Sequence, residues 1–293
     1  MCRRKDFRED RKEKRLSRLI LLSVPIGNLD DLTLRGKKVL EEKYLFFVED
    51  TRVFYDLLKG LCIESKTKRV FSFHEHSPES RLNDAKKFLQ EGNDIVLVSD
   101  AGSPIMSDPG YPLVKGALEW GFSLDSVPGV SSVLTALELS GLPPYPFQFH
   151  GFFPRDKQKK KNLFSSMKLL GQTHVLFEGP RRVESTLSLM KECIPEAQVC
   201  VARELTKKFQ SVYRFQSKDY LSKKEEIVLK GEFVIVIYLE GLKESLSQFE
   251  RSKVLAAQYM ESGSQKDLSK LLGPLLEMSP KEIYSSLMGL KKR

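Results

Sequence analysis

The apolar run Ile95-Val96-Leu97-Val98 leads into Ser99-Asp100-Ala101-Gly102-Ser103-Pro104-Ile105-Met106-Ser107-Asp108-Pro109-Gly110-Tyr111-Pro112, and then into a helical run, Leu113–Trp120. The linking stretch holds two Gly, three Pro, two Asp and three Ser. Residues of these kinds prescribe a backbone path and leave amides and small side chains exposed. Ordinary strand-to-helix connections need only about 2–6 residues. A longer loop of special residues, at the carboxyl end of a buried strand, makes a floor for a polar ligand.

The same grammar repeats along the chain. Leu19-Ile20-Leu21-Leu22-Ser23-Val24 reads as a buried parallel strand and stops at Pro25-Ile26-Gly27-Asn28. Leu45-Phe46-Phe47-Val48 stops at Glu49-Asp50-Thr51-Arg52, and Val70-Phe71-Ser72-Phe73 at His74-Glu75-His76. Phe122–Val127 stops at Pro128-Gly129-Val130-Ser131-Ser132, which opens a helix closed by Gly141. Helical patterns follow Asp30 or Asp31 and Arg52, and cover 78–91 and 110–120. Strands alternating with helices predict an α/β domain with a mostly parallel sheet.

Leu142-Pro143-Pro144-Tyr145-Pro146 reads as a linker. Beyond it, strands are expected within 147–154, 174–177, 199–202, 212–215 and 233–238. Polar clusters follow at Glu178–Arg182 and Arg203–Lys207. From about 245 the pattern is helical, over 249–262, 265–273 and 279–288. The expected organisation is a basic N-terminal extension (1–17), an N-terminal α/β domain (18–142), a C-terminal α/β domain (147–241) and a helical extension (245–293), the last a candidate helix-turn-helix unit. Ligands of open α/β sheets bind beyond the carboxyl ends of strands, so polar clusters at that edge in both domains predict a cleft between them.

Charge narrows the partners. The net charge is +9, with +5 on residues 1–18, +3 on residues 241–293 and a middle close to neutral. Basic ends on a neutral body predict contact with a polyanion, although a solvated N-terminal tail has the same composition. No apolar run approaches the roughly 20 residues of a membrane-crossing helix. The N-terminal run lacks a signal-peptide core, and Cys2, Cys62, Cys193 and Cys200 form no CxxC. The expectation is a cytoplasmic protein with reduced thiols. P-loop, GxSxG and GxGxxG patterns are absent from the sequence. His74-Glu75-His76 lacks companion ligands at metal-site spacing, so no metal is expected.

Taken in order, Pro25-Ile26-Gly27-Asn28, Glu49-Asp50-Thr51-Arg52, His74-Glu75-His76, Ser99-Asp100-Ala101-Gly102-Ser103-Pro104, Ser107-Asp108-Pro109-Gly110, Pro128-Gly129, Ala202-Arg203-Glu204-Leu205-Thr206-Lys207 and Gly231-Glu232-Phe233 resemble the rRNA-methylating branch of the tetrapyrrole methylase superfamily. The resemblance spans about residues 18–240. It implies two α/β domains, S-adenosylmethionine in the cleft and a homodimer. It also implies methyl transfer to the ribose 2′-oxygen of a cytidine in the decoding region of 16S rRNA, within the small ribosomal subunit. By position it assigns Pro25, Asp100, Gly102, Ser103, Met106, Ser131, Ser132, Glu178 and Leu205 to the cofactor. Ser103 stands where the family often has Thr, and Gly179-Pro180-Arg181-Arg182 where Ser-Pro-His-Arg is more usual.

A ribose hydroxyl benefits from a general base. Glu49, Asp50, His74, Glu75, His76 and Asp100 are the candidates, with the cluster Glu49, Asp50 and Arg52 favoured as catalytic; an Asp-Arg pair there reads equally as structural. His74, His76, Arg155, Lys157, Arg181, Arg203 and Lys207 are the candidate RNA contacts. Lys159-Lys160-Lys161 reads equally as a solvated basic face. Phe47, Phe71, Phe73, Phe152 and Phe177 lie in strand runs and read as core, whereas Phe54, Tyr55 and Tyr111 follow polar strand ends and are candidates for base stacking. Two other readings remain open: a tetrapyrrole or protein-precursor methylase of the same fold, and a non-catalytic RNA-binding assembly factor.

Overall fold

Strands that are apolar on both faces need cover on both faces, and the first sheet obtains it from helices above and below. The computed structural model describes residues 17–74, 77, 79–107, 110–240, 266, 269 and 278–290. The chain divides into two units, with the boundary between Ser132 and Val133.

In the first unit β1 (Arg18–Leu22), α1 (Leu34–Glu42), β2 (Leu45–Val48), α2 (Thr51–Gly60), β3 (Arg69–Ser72), α3 (Glu79–Gln90), β4 (Ile95–Val98), α4 (Tyr111–Glu119) and β5 (Ser123–Val127) alternate without interruption. The sheet runs β3-β2-β4-β1-β5 and is wholly parallel. Ile20, Leu22, Phe46, Val48, Val96 and Val98 pack with Leu40 of α1 and with Phe54 and Leu58 of α2. The alternate residues Leu19, Leu45, Phe47, Ile95 and Leu97 pack with Ala85 and Leu89 of α3 and with Leu113 and Ala117 of α4. Thus α1 and α2 cover one face, and α3 and α4 the other. The chain leaves β1 and β4 in opposite directions, so these neighbouring central strands form the topological switch point where open α/β sheets bind ligands.

The amino ends of the same strands are held by ions. Asp94 accepts the Arg18 backbone N–H at 3.0 Å and Lys43 Nζ at 2.7 Å, while the Arg18 guanidinium reaches Asp125 at 2.9 Å. Burial alone would raise the Asp94 carboxyl, but the bonds from Lys43 and Arg18 hold it below its ordinary value.

The second unit begins within α5 (Ser132–Ser140) and continues through β6 (Phe147–Phe152), α6 (Lys157–Leu170), β7 (Thr173–Glu178), α7 (Val183–Cys193), β8 (Gln198–Arg203), β9 (Ser211–Gln216), α8 (Tyr220–Lys223) and β10 (Phe233–Tyr238). Its sheet runs β6-β7-β10-β8-β9. Only β6 and β7 pair in parallel; β10 lies antiparallel to both β7 and β8, and β9 antiparallel to β8. The mostly parallel expectation therefore describes the first sheet, and the second is mixed because β8 and β9 join through a loop with no crossover helix. Phe164, Met167, Leu187 and Met190 of α6 and α7 pack on Leu176, Ile235 and Val201 of this sheet. The proline-rich stretch before β6 is tied to β7 by the Thr173 N–H, which donates to the Pro146 carbonyl at 3.2 Å.

Of the three expected C-terminal helices, the last is observed as Pro280–Leu290. Its start is a reciprocal cap: the Glu282 N–H donates to Ser279 Oγ at 3.3 Å, and the Ser279 N–H donates to Glu282 at 3.0 Å. Segment 249–262, most of 265–273, and residues 1–16 of the basic extension lie outside the described residues.

His150 on β6 and His174 on β7 share one hydrogen bond, Nε2 to Nδ1, of 2.9 Å. Burial, with His150 alongside, pushes His174 down to about 4, and burial lowers His150 as well. An unfolded histidine takes up its proton near 6.5, so stability is whole above that pH and is lost as pH falls toward the folded value. The expected loss for His174 is of order 2–3 kcal/mol by pH 4. Urea unfolding followed from pH 7.5 to 4.5 checks this: His174→Gln should flatten the dependence, and an unchanged slope would refute it.

Candidate active site

The polar loops of the first unit are knitted by backbone contacts at the switch point. The Val24 N–H donates to the Gly102 carbonyl at 2.9 Å, and the Gly102 N–H returns a bond to the Val24 carbonyl at 3.1 Å. Gly102 adopts φ 73°, a conformation that favours glycine, and a side chain there would come within 3.4 Å of Ile26. The Ser23 N–H bonds the Val127 carbonyl at 3.1 Å, and a Cβ on Gly129 would lie 3.0 Å from that of Ser23. The loops after β1, β4 and β5 thus touch backbone to backbone. Pro25 and Gly102 are buried, Ser103, Ser131 and Ser132 are half-buried, and Met106 is exposed. Ser131 and Ser132 stand at the amino end of α5, where backbone N–H groups suit an anion. The long loop also folds on itself: a Cβ on Gly110 would meet the Pro104 carbonyl oxygen at 2.1 Å. Asp108 and Pro109 lie outside the described residues.

A second crosslink joins the loops after β2 and β4. The Asp50 N–H donates to Asp100 Oδ1 at 3.0 Å, and the Asp100 N–H donates to Glu49 Oε2 at 3.2 Å. Asp50 also caps α2 by accepting the Arg52 N–H at 2.8 Å, and it takes the Arg52 guanidinium on both oxygens, at 3.1 and 2.6 Å. These bonds hold the Asp50 carboxyl at about 2 and raise Arg52. Asp100 shifts the other way, raised by partial burial and by the neighbouring Asp50 charge. Three carboxylates and one arginine therefore share an edge, and Asp50 and Asp100 are shifted in opposite directions. The His74 N–H donates to Ser77 Oγ at 2.8 Å. His76 and Glu75 lie outside the described residues.

The aromatic expectations are corrected at two positions. Phe54 is 3% exposed and stacks in the core on Phe46 at 4.9 Å, because it faces the sheet from α2. Phe152, expected in the core, is 58% exposed. Tyr55 and Tyr111 are exposed, and Phe47 and Phe73 are buried, as their positions suggest.

On the second unit Glu178 closes β7 with no exposed side-chain surface. One oxygen accepts the Gly179 N–H at 2.9 Å and Arg182 at 2.7 Å, while the other accepts Lys160 at 3.2 Å and Thr186 Oγ1 at 2.6 Å. Its carboxylate is committed to the unit itself. Lys160, the middle of the basic run, is buried in that bond, whereas Lys159 is exposed. The solvated or phosphate-facing reading is therefore corrected at Lys160, and Thr186 escaped the sequence reading, because their common partner sits on another element. The one signal was the helical period, which sends residues on either side of Lys160 to different faces.

Leu205 is 6% exposed in the loop after β8, between Glu204 and Thr206, whose φ values are 50° and 63°. Arg203 Nη1 donates to the Phe209 carbonyl at 2.8 Å, and its Nε donates to that of Lys230. Lys207 bridges Glu204 at 3.2 Å and Glu232 at 2.9 Å. Arg155, Lys157 and Arg181 are exposed.

This arrangement has known counterparts. The family described as Tetrapyrrole (Corrin/Porphyrin) Methylases matches residues 18–220. A protein of Streptococcus pyogenes named ribosomal RNA small subunit methyltransferase I is 39% identical over 227 residues, 77% of this chain and 78% of the relative. A protein of the same name from Thermotoga maritima is 38% identical over 222 residues, 76% of this chain and 98% of its own. Among solved structures, a cobalt precorrin-4 methyltransferase superposes with a TM-score of 0.56 at 18% identity, covering 76% of this chain and 95% of that one. A diphthine synthase reaches 0.55 at 14% identity, covering 82% and 95%. The chain belongs to the tetrapyrrole methylase family, and within it to the group of proteins named ribosomal RNA small subunit methyltransferase I.

Proposed function

We propose that the chain transfers a methyl group from S-adenosylmethionine to the ribose 2′-oxygen of a cytidine in the decoding region of 16S rRNA. The observation that carries this reading is a backbone-lined cradle, closed by the Val24–Gly102 bonds, in the same unit as an edge of carboxylates and arginine. The cradle's chemistry fits the cofactor. Met106, exposed on the loop after β4, offers apolar surface to a purine, and the N–H groups around Ser131 and Ser132 at the start of α5 offer donors to a carboxylate. Ser103 and Asp100 belong to the same loop, while Glu178 and Leu205, the cofactor candidates on the second unit, hold the ends of β7 and β8 there. The names of the relatives support an rRNA substrate.

S-adenosylmethionine supplies a methyl carbon activated by a positive sulfur. The ribose 2′-oxygen forms the new bond as the sulfur–carbon bond breaks, so alignment provides much of the rate. The hydroxyl proton must leave, and the Glu49, Asp50 and Arg52 cluster with Asp100 divides that work. Asp50, held at about 2, is a weak base and serves to fix Arg52. Arg52, whose side chain is 87% exposed, is offered to a backbone phosphate. Glu49 receives the Asp100 N–H and orients that loop. Asp100, raised from its ordinary value, is the better proton acceptor, and the proposal gives Oδ2 to the hydroxyl proton.

His74, His76, Arg155, Lys157, Arg181, Arg203 and Lys207 form the proposed RNA-contacting set. Arg203 and Lys207 act by bracing the loop after β8, and the exposed members meet phosphate. A homodimer and a cytoplasmic site of action complete the reading. Among the described residues no helix is long and apolar enough to cross a membrane.

The decisive experiment incubates the full chain with labelled S-adenosylmethionine and 30S subunits from cells lacking the modification. Label in a 2′-O-methylated cytidine is expected; cofactor binding without label in RNA would redirect the assignment to another substrate of the fold. Asp100→Asn keeps an acceptor for the Asp50 N–H but not the base. It should lower kcat about 10²–10⁴-fold and remove the acid limb of the pH profile, whereas an unchanged limb assigns the proton elsewhere. Gly110→Ala forces the loop off the Pro104 carbonyl. Calorimetry should show S-adenosylmethionine affinity falling at least about tenfold with the fold retained, and wild-type affinity would show that the loop tolerates the shift.

A further inference from the structure

The sequence Gly151-Phe152-Phe153-Pro154 ends β6 with an irregularity that decides where two rings go. Gly151 takes φ 69°, and pairing with β7 slips between Phe149 and Phe152. A bulge of this kind re-aims the side chains that follow it. Phe153 enters the core at 2% exposed, whereas Phe152 stays on the opposite face at 58% exposed. The Phe152 ring is braced from behind by Phe177, at 5.4 Å and 68°, and Phe177 is itself braced by Phe149 at 4.9 Å. The result is a fixed aromatic ring with an open face.

The surroundings are cationic. Because β6 and β7 are parallel neighbours, their carboxyl ends bring together Phe152, Arg155 and Lys157 from one connection and Arg181 from the other. All three cations are exposed. The acids nearby are otherwise engaged: Asp156 caps α6 by accepting the Lys159 N–H at 2.8 Å, and Glu178 is enclosed by its four donors. A braced, exposed ring whose strand and its parallel neighbour both run on into connections carrying exposed cations matches an unpaired nucleotide, whose base has a π-face and whose neighbours carry phosphate.

We propose that Phe152 is a stacking platform for an unpaired base of the RNA substrate, with Arg155, Lys157 and Arg181 on the flanking phosphates. This rests on the reading of an RNA substrate, and it names the residue that holds the strand in single-stranded form. Recognition of this kind selects exposed loops over duplex, because a paired base offers no free face.

The test measures anisotropy of a fluorescein-labelled, unstructured oligoribonucleotide with the full chain at several salt concentrations. Phe152→Ala should weaken binding about tenfold, with the same salt slope and an unchanged S-adenosylmethionine affinity. Phe152→Trp should restore it. Arg181→Gln should instead reduce the salt slope by about one. Wild-type affinity in Phe152→Ala overturns the proposal. So does a loss that coincides with a change in oligomeric state by light scattering, which would make the ring a protein contact. Binding that depends on Phe152 without label transfer to 30S subunits leaves the platform standing and removes the methylation reading. No RNA binding by the wild type removes both.

Discussion

Two backbone hydrogen bonds between Val24 and Gly102 organise the polar edge of the first unit. They join the loops that leave the two central strands in opposite directions. The bonds need no particular side chain, but they need a backbone free to enter the left-handed region, and Gly102 supplies it. Once the loops are joined, Gly129 can press on Ser23 and the start of α5 comes alongside. The cradle is therefore made of peptide groups, whose positions are set by the sheet rather than by rotamers. That is the kind of preorganisation an alignment-driven reaction requires.

The second unit depends on a different constraint. A fully enclosed carboxylate is tolerable only when every lone pair is answered, and Glu178 is answered by Gly179, Arg182, Lys160 and Thr186. Those donors come from the connections around α6, β7 and α7, so satisfying one charge locks three elements at their ends. Removing Glu178 itself would leave Lys160 buried without its counter-charge, a kind of change that costs about 3–5 kcal/mol. The same lock sets the exit paths of the chain after β6 and β7, where Arg155, Lys157, Arg181 and Phe152 reach the surface.

Within the first unit the carboxylates sort themselves by neighbour. Asp50 and Asp100 follow parallel neighbouring strands and differ in surroundings: Asp50 holds Arg52, whereas Asp100 is partly buried with the Asp50 charge nearby. A cation in bidentate contact lowers one group, whereas an anion with partial burial raises the other. Two like residues thereby acquire unlike proton affinities.

Much of this was legible in the residues alone. Buried parallel strands must be apolar, so Leu19–Val24, Leu45–Val48 and Ile95–Val98 announced themselves, and the polar clusters after them marked the carboxyl-end edge of the sheet. The ordered motifs carried the family. The Ser279 and Glu282 cap was readable because its partners are three residues apart. What the sequence did not decide depends on partners far along the chain. The order β3-β2-β4-β1-β5 follows from pairings that no local pattern encodes. Lys160 turns inward because Glu178 waits there, and Asp50 loses its basicity because the Arg52 side chain and backbone N–H fold back on it. Phe54 and Phe152 exchange the roles their neighbourhoods suggested, one because its helix faces the sheet and the other because a bulge at Gly151 turned it outward. Local sequence determines which segments are strands, helices and special loops, since propensity and burial act on neighbours. Charge state, exposure and the choice of functional face were decided by tertiary structure, since each is a property of what lies across the gap rather than along the chain.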